Sequence, residues 1–187
     1  MVDHLESIVD QALGGRPGHW TFAVAGPSGP ARIVGDPSRS YRLASVTKPL
    51  AAAATWLAIE EGTVSLDDPA GPEGSTLGHL LAHASGLPFE GRDAIAAPGT
   101  RRIYSNTGFE VAAEHLAAAS GLSMATYLHE GVCAPLDMAS THLDASPAWG
   151  ATSTVADLIR LGQELLAPTV FDSTTIDRVT SVSFAGL

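Results

Sequence analysis

The stretch RLASVTKPLAAAATWLAIEEG, residues 42–62, sets a serine and a lysine three positions apart at the head of the longest apolar run in the chain. Residues three apart share one face of a helix, so Ser45 Oγ and Lys48 Nζ can meet. A serine at a helix N-terminus also carries a backbone N–H without an intrahelical acceptor, free to hold a developing oxyanion. The apolar run after Lys48 supplies the burial a lysine needs to serve as a base. Pro49 lacks an N–H, so it belongs in the first helical turn, with Ser45 at or just before the cap. It also biases Lys48 away from helical backbone. A plainer reading fits the same tetrapeptide: Ser45 caps the helix and Lys48 extends to water. Ser-x-x-Lys is common by chance, and the spacing alone leaves both readings open.

The totals narrow the field. A chain of 187 residues can bury one sizeable core, or form one domain with a smaller lobe. Hydrophobic residues at 45% and charged residues at 16% describe a globular protein. Ten Lys and Arg against 20 Asp and Glu leave a net charge of -10, which repels a polyanion, so no nucleic-acid partner is expected. The single cysteine, Cys133, excludes an internal disulfide and, flanked by Val132 and Ala134, reads as buried and inert. Residues 1–15 are acidic and lack the basic start and unbroken apolar run of a secretory leader, from which a cytoplasmic location is expected. The run from Pro49 to Ile59 is too short to cross a bilayer, so no membrane partner is expected either.

Leu5, Ile8, Val9 and Ala12 recur at helical spacing before Gly14-Gly15 and predict an opening helix. Trp20–Ala25 and Ala31–Val34 flank a Gly-Pro-Ser-Gly-Pro turn and predict a hairpin. Beyond Ser45 the signals are helical almost throughout. Ser75 is a cap for a helix carrying Leu77, Leu80 and Leu81, and Asn106 for one running to Gly121. A further helix spans about 124–132, and Thr154 with Asp157 suggests a capping box before Leu158, Leu161 and Leu165. The chain divides into 1–44, a helix and hairpin, and 45–187, a mainly helical part. One hairpin against six or seven helices is unbalanced, because an isolated two-stranded sheet is marginal in water.

A second chemical pattern lies in RRIYSNTGFE, residues 101–110. In an extended segment Tyr104 and Asn106 share a face. A phenol beside a lysine can relay protons, and an asparagine can position the lysine or donate to an acyl oxygen. Equally, Tyr104 could be a loop aromatic and Asn106 a helix cap. His79 and His83 have a metal-like spacing, but no third ligand accompanies them as a recognisable motif. Trp20, Trp56 and Trp149 read as core or cleft packing, with Trp149 also a candidate wall of a substrate site.

Together these segments resemble the serine β-lactamase and penicillin-binding-protein superfamily, in its class C-like and esterase branch. SVTK matches the first motif, with Ser45 as nucleophile and Lys48 as its partner. YSN matches the second, with Tyr104 as base or proton relay and Asn106 positioning substrate. LLAHASGL at 80–87, PGTRRIYSN at 98–106, SGLSMATYLHEGVCAPLDM at 120–138 and GATSTVADLIRLGQELL at 150–166 follow in the family's order. The resemblance makes the His79–His83 segment a structural helix end. It implies an α+β fold, a β-lactamase/transpeptidase-like antiparallel sheet flanked by helices with a mainly helical lobe, of which only the first hairpin is expected here. The family's third motif, Lys-Thr-Gly or His-x-Gly on a later strand, has no counterpart after Gly150. Its absence suggests a fragment or a natural truncation, inactive alone until a C-terminal segment or another protomer completes the sheet.

The implied reaction is hydrolysis of a small-molecule ester, amide or β-lactam through an acyl-enzyme. No metal or organic cofactor is expected. A carboxylesterase is favoured over a β-lactamase or D-alanyl-D-alanine carboxypeptidase because no export signal is visible. A non-catalytic ligand-binding module of the same fold is the alternative of another class.

Overall fold

The computed structural model describes residues 2–181, 183, 184 and 186. Its centre is helix α2, Thr47–Glu60, whose Leu50, Ala51, Ala54 and Ala58 are buried. The small alanines let α4, Asn106–Ser120, and α5, Met124–Leu128, pack close, with Phe109, Leu116 and Leu128 filling the space between. Helix α3, Leu77–Leu81, lies on α4 and buries Leu77 and Leu80. Burial of this apolar surface is the main force holding the helical part together.

Helix α1, Val2–Leu13, ends at Gly14 and Gly15, both in left-handed backbone. Strands β1, Phe22–Val24, and β2, Arg32–Val34, form the expected hairpin in shorter form, with Ala23 opposite Ile33. Trp20 lies outside it and is exposed rather than packed in a core. The α+β class stands, but the expectation of a single hairpin does not. A second antiparallel sheet pairs β3, Ser40–Arg42, and β4, His142–Leu143, on either side of β5, Ala151–Thr154. These strands are too short to show alternation in sequence, and Ser40 meets Thr154 only through tertiary folding. The same sheet joins the segments on either side of residue 44.

Two caps differ from expectation by one residue. Thr76, not Ser75, caps α3, and His79 Nδ1 accepts the Thr76 amide in return. Ser105, not Asn106, caps α4 by accepting the Gly108 amide. In both cases the extended backbone needed at the cap falls on the residue that can also point its oxygen back into the first turn. Helix α6, Val155–Leu166, is capped by Thr154 as expected. The Asp157 carboxylate does not complete the box; it accepts from Ser140 and Thr141 instead. The predicted 124–132 helix widens into a π-turn at His129–Cys133, and α7, Ser173–Val179, is an additional helix.

The turn between β4 and β5 needs a glycine for space. A Cβ on Gly150 would lie 2.5 Å from Ala145 Cβ and 2.6 Å from the Ser146 nitrogen. We predict that Gly150→Ala, by forcing this turn open, destabilises the protein by about 1–3 kcal/mol. The urea midpoint should fall at an unchanged slope; an unaltered midpoint would refute the steric argument.

Candidate active site

Ser45 sits in a 3₁₀ turn, Ala44–Val46, that feeds directly into α2. Ala44, immediately before it, has φ +46°, an unfavourable region for a residue with a Cβ. That kink turns the chain sharply out of β3 and leaves Ser45 exposed above the helix. No acceptor pairs with the Ser45 amide among the described residues. Lys48 is helical despite Pro49, which occupies the first turn where no N–H is required. Two bonds fasten this end of α2 to β5: the Leu43 amide donates to Ala151 O at 2.9 Å, and the Ala151 amide donates to Thr47 Oγ1 at 3.0 Å.

Lys48 does not extend to water. It is only 4% exposed, and it is the only lysine in the chain, the other nine basic residues being arginines. Its Nζ donates to Asn106 Oδ1 at 2.7 Å and to Ala148 O at 2.9 Å, and reaches Ser45 Oγ at 3.4 Å. It also lies 4.6 Å from the centre of the Tyr104 ring and 5.9 Å from that of Phe109, close enough for attraction to both aromatic faces.

Each partner is itself held. Because Ser105 is the cap, Asn106 begins α4 and its side chain is free to turn onto Lys48. The Ala148 carbonyl belongs to a turn in which Trp149 N and Gly150 N both donate to Ser146 O. Ser146 Oγ donates to Glu110 Oε1, one turn along α4 from Asn106. Tyr104 lies on the extended segment leading into α4 and is 46% exposed. Burial pushes its phenol up, but polar contact with Lys48 and Ser45 and the lysine charge outweigh it, so the pKa falls below the ordinary tyrosine value.

Of the residues singled out in the sequence, Ser45, Lys48, Tyr104 and Asn106 therefore converge. Trp149 follows the carbonyl that binds Lys48, and its side chain is 43% exposed. Phe89, which the sequence did not mark, stacks on Tyr104 with ring centres 6.1 Å apart and is 51% exposed. His79 and His83 serve separate purposes, the first in the α3 cap and the second behind Tyr104. Cys133 is buried, and burial followed by the Asp157 charge pushes its thiol up to about 11. No helix among the described residues is long and apolar enough to cross a membrane.

A family model described as Beta-lactamase matches residues 35–181. A solved beta-lactamase from Mycobacterium bovis is 50% identical and superimposes with a TM-score of 0.91, over 95% of this chain and 66% of that one. D-alanyl-D-alanine-carboxypeptidase/endopeptidase AmpH of Escherichia coli strain K12 is 29% identical over 57% of this chain and 37% of its own length. Penicillin-binding protein 4* of Bacillus subtilis strain 168 is also 29% identical, over 55% of this chain and 30% of its own. The chain thus spans well under half the length of the curated relatives it matches.

Loss of the Asn106 oxygen would leave one N–H of a buried lysine without an acceptor. Asn106→Leu is expected to lower stability by about 1–3 kcal/mol, read from chemical denaturation. A variant as stable as the parent would show that this bond does not hold Lys48.

Proposed function

The chain belongs to the beta-lactamase family, and on that premise we propose that it supplies the nucleophile and proton-transfer groups of a serine hydrolase. The observation that carries this reading is the bonding of Lys48. Asn106 Oδ1 and Ala148 O, which can only accept, hold two of its N–H directions, and its third direction meets Ser45 Oγ at 3.4 Å. In this reading Lys48, in its amine form, takes the serine proton as Ser45 Oγ attacks the substrate carbonyl carbon. The Ser45 amide donates to the oxyanion so formed.

Tyr104, in contact with both residues and with its pKa lowered, passes the proton to the leaving alcohol or amine as the carbonyl–heteroatom bond breaks. An acyl-Ser45 ester remains. Water then attacks it, giving its proton back through Tyr104 and Lys48, and the acid leaves. No metal is needed to balance these steps.

For substrate, we favour a carboxylic ester with an uncharged, apolar acyl group. The support is the rim: Tyr104 lies beside Lys48, Phe89 stacks on Tyr104, and both expose aromatic surface, as does Trp149, which follows the Ala148 carbonyl bound to Lys48. A β-lactam or D-alanyl peptide is the second reading, favoured by the similarity to the M. bovis beta-lactamase and to AmpH.

Two measurements on the full-length protein test this. A fluorophosphonate should add covalently to the peptide containing Ser45, seen by mass spectrometry, and Ser45→Ala should abolish the adduct; labelling that survives would end the nucleophile assignment. Separately, kcat/KM for short-chain p-nitrophenyl esters should exceed that for a chromogenic cephalosporin. A preference for the cephalosporin would move the substrate to the β-lactams.

A further inference from the structure

Behind Tyr104 lies a histidine whose bonds have no part in the chemistry described above. His83 is 8% exposed and has φ +59°, a left-handed backbone that is unfavourable for a residue with a Cβ. From this position it grips the chain on both sides of Tyr104. Its carbonyl accepts the Ile103 amide at 2.8 Å, and its Nδ1 accepts the Ser105 amide at 3.1 Å. The ring lies 4.6 Å from the Tyr104 ring and 5.4 Å from that of Phe109, centre to centre. Neighbouring bonds complete the fastening, since Ser105 Oγ donates to Pro88 O and the Asn106 amide donates to Phe89 O at 2.9 Å.

We propose that His83 is the positioning residue of the site: its unprotonated Nδ1, as acceptor for the Ser105 amide, sets where the Tyr104 phenol stands relative to Lys48 and Ser45. This rests on the reading of Ser45, Lys48 and Tyr104 as the acyl-transfer groups. The geometry requires a particular protonation state. An amide N–H can donate only to a ring nitrogen with a free lone pair, so Nδ1 is bare. A second proton would place two donors face to face and break the grip. The surroundings oppose that proton. Burial first, then the charges of Lys48 and Arg102, hold the His83 pKa down to about 4.

The sign of the linkage follows. A histidine whose folded pKa lies below its unfolded value contributes stability at neutral pH that is lost as the pH falls from about 6.5 towards 4. The charged and titratable groups facing the ring are Lys48, Arg102 and Tyr104. Above this window the imidazole stays neutral and does not compete with Lys48 or Tyr104 for the serine proton. Its effect on the reaction passes entirely through the backbone of the Tyr104 segment.

The experiment compares three replacements in the full-length protein. In His83→Asn an oxygen takes the place of Nδ1 and the residue tolerates left-handed backbone. His83→Leu keeps the shape and removes the acceptor. His83→Gly removes the acceptor without backbone strain and decides the matter if the leucine variant does not fold.

With p-nitrophenyl butyrate as probe, His83→Asn should keep kcat within about threefold of the parent. His83→Leu or His83→Gly, folded by circular dichroism, should lose about 10–100-fold in kcat at little-changed KM. The alkaline limb of the rate profile should move upward in the same two variants as the phenol leaves Lys48, and stay in place in His83→Asn. A histidine with a merely structural role would lower the melting temperature without moving that limb. Full kcat and an unmoved limb in His83→Leu or His83→Gly, or loss in His83→Asn equal to theirs, would overturn the proposal. Ser45→Ala run alongside separates the two claims: if it retains the parent activity, the acyl-transfer reading fails, whatever His83 does.

Discussion

The site depends on one amino group kept out of water. A buried lysine nitrogen without partners is costly, so Lys48 can lie beneath the surface only while acceptors surround it. Those acceptors come from far along the chain. Asn106 is 58 residues away and Ala148 is 100. Satisfying Lys48 therefore draws the start of α2, the start of α4 and the turn before β5 to one point. The Thr47–Ala151 bond, across 104 residues, ties the same regions a second time. Much of the small sheet β3–β5–β4 can be understood as the frame that makes this convergence rigid.

Strain is distributed in the same pattern. Among the described residues, Ala44, His83 and Asp137 are the non-glycine residues with positive φ. Two of the three flank the site: Ala44 precedes Ser45, and His83 backs Tyr104. Such conformations persist only where surrounding bonds over-determine them. Here the bonds are visible: β3 pairing with β5 before Ala44, and the carbonyl and ring bonds of His83 to residues 103 and 105.

The chemistry of the neighbouring surface differs from that of the centre. Lys48 and Asn106 are buried and bonded to each other, whereas Ser45, Tyr104, Phe89 and Trp149 are open. Lys48 is thus held in a fixed direction by buried partners, while Tyr104 reaches from this centre to an accessible aromatic surface shared with Phe89.

Local chemistry brought the residues of the centre together in pairs, and the family resemblance, rather than spacing, chose between a chemical and a plain capping reading of them. Pro49 placed α2 within a residue, since a missing N–H is harmless only in a first turn. Ser45 with Lys48, and Tyr104 with Asn106, could be paired because each pair spans a few residues whose relative orientation the backbone dictates. Which residue capped α4 was not decided locally: Ser105 and Asn106 can both accept from a first-turn amide, and Ser105 takes the cap while Asn106 binds Lys48. The strands at 40–42, 142–143 and 151–154 were equally illegible, being too short to carry a period and paired across most of the chain. The roles of Ala148 and His83 belong to the same class. A backbone carbonyl has no sequence signature, and a histidine's lone pair acquires meaning only when folding brings the Ser105 amide against it.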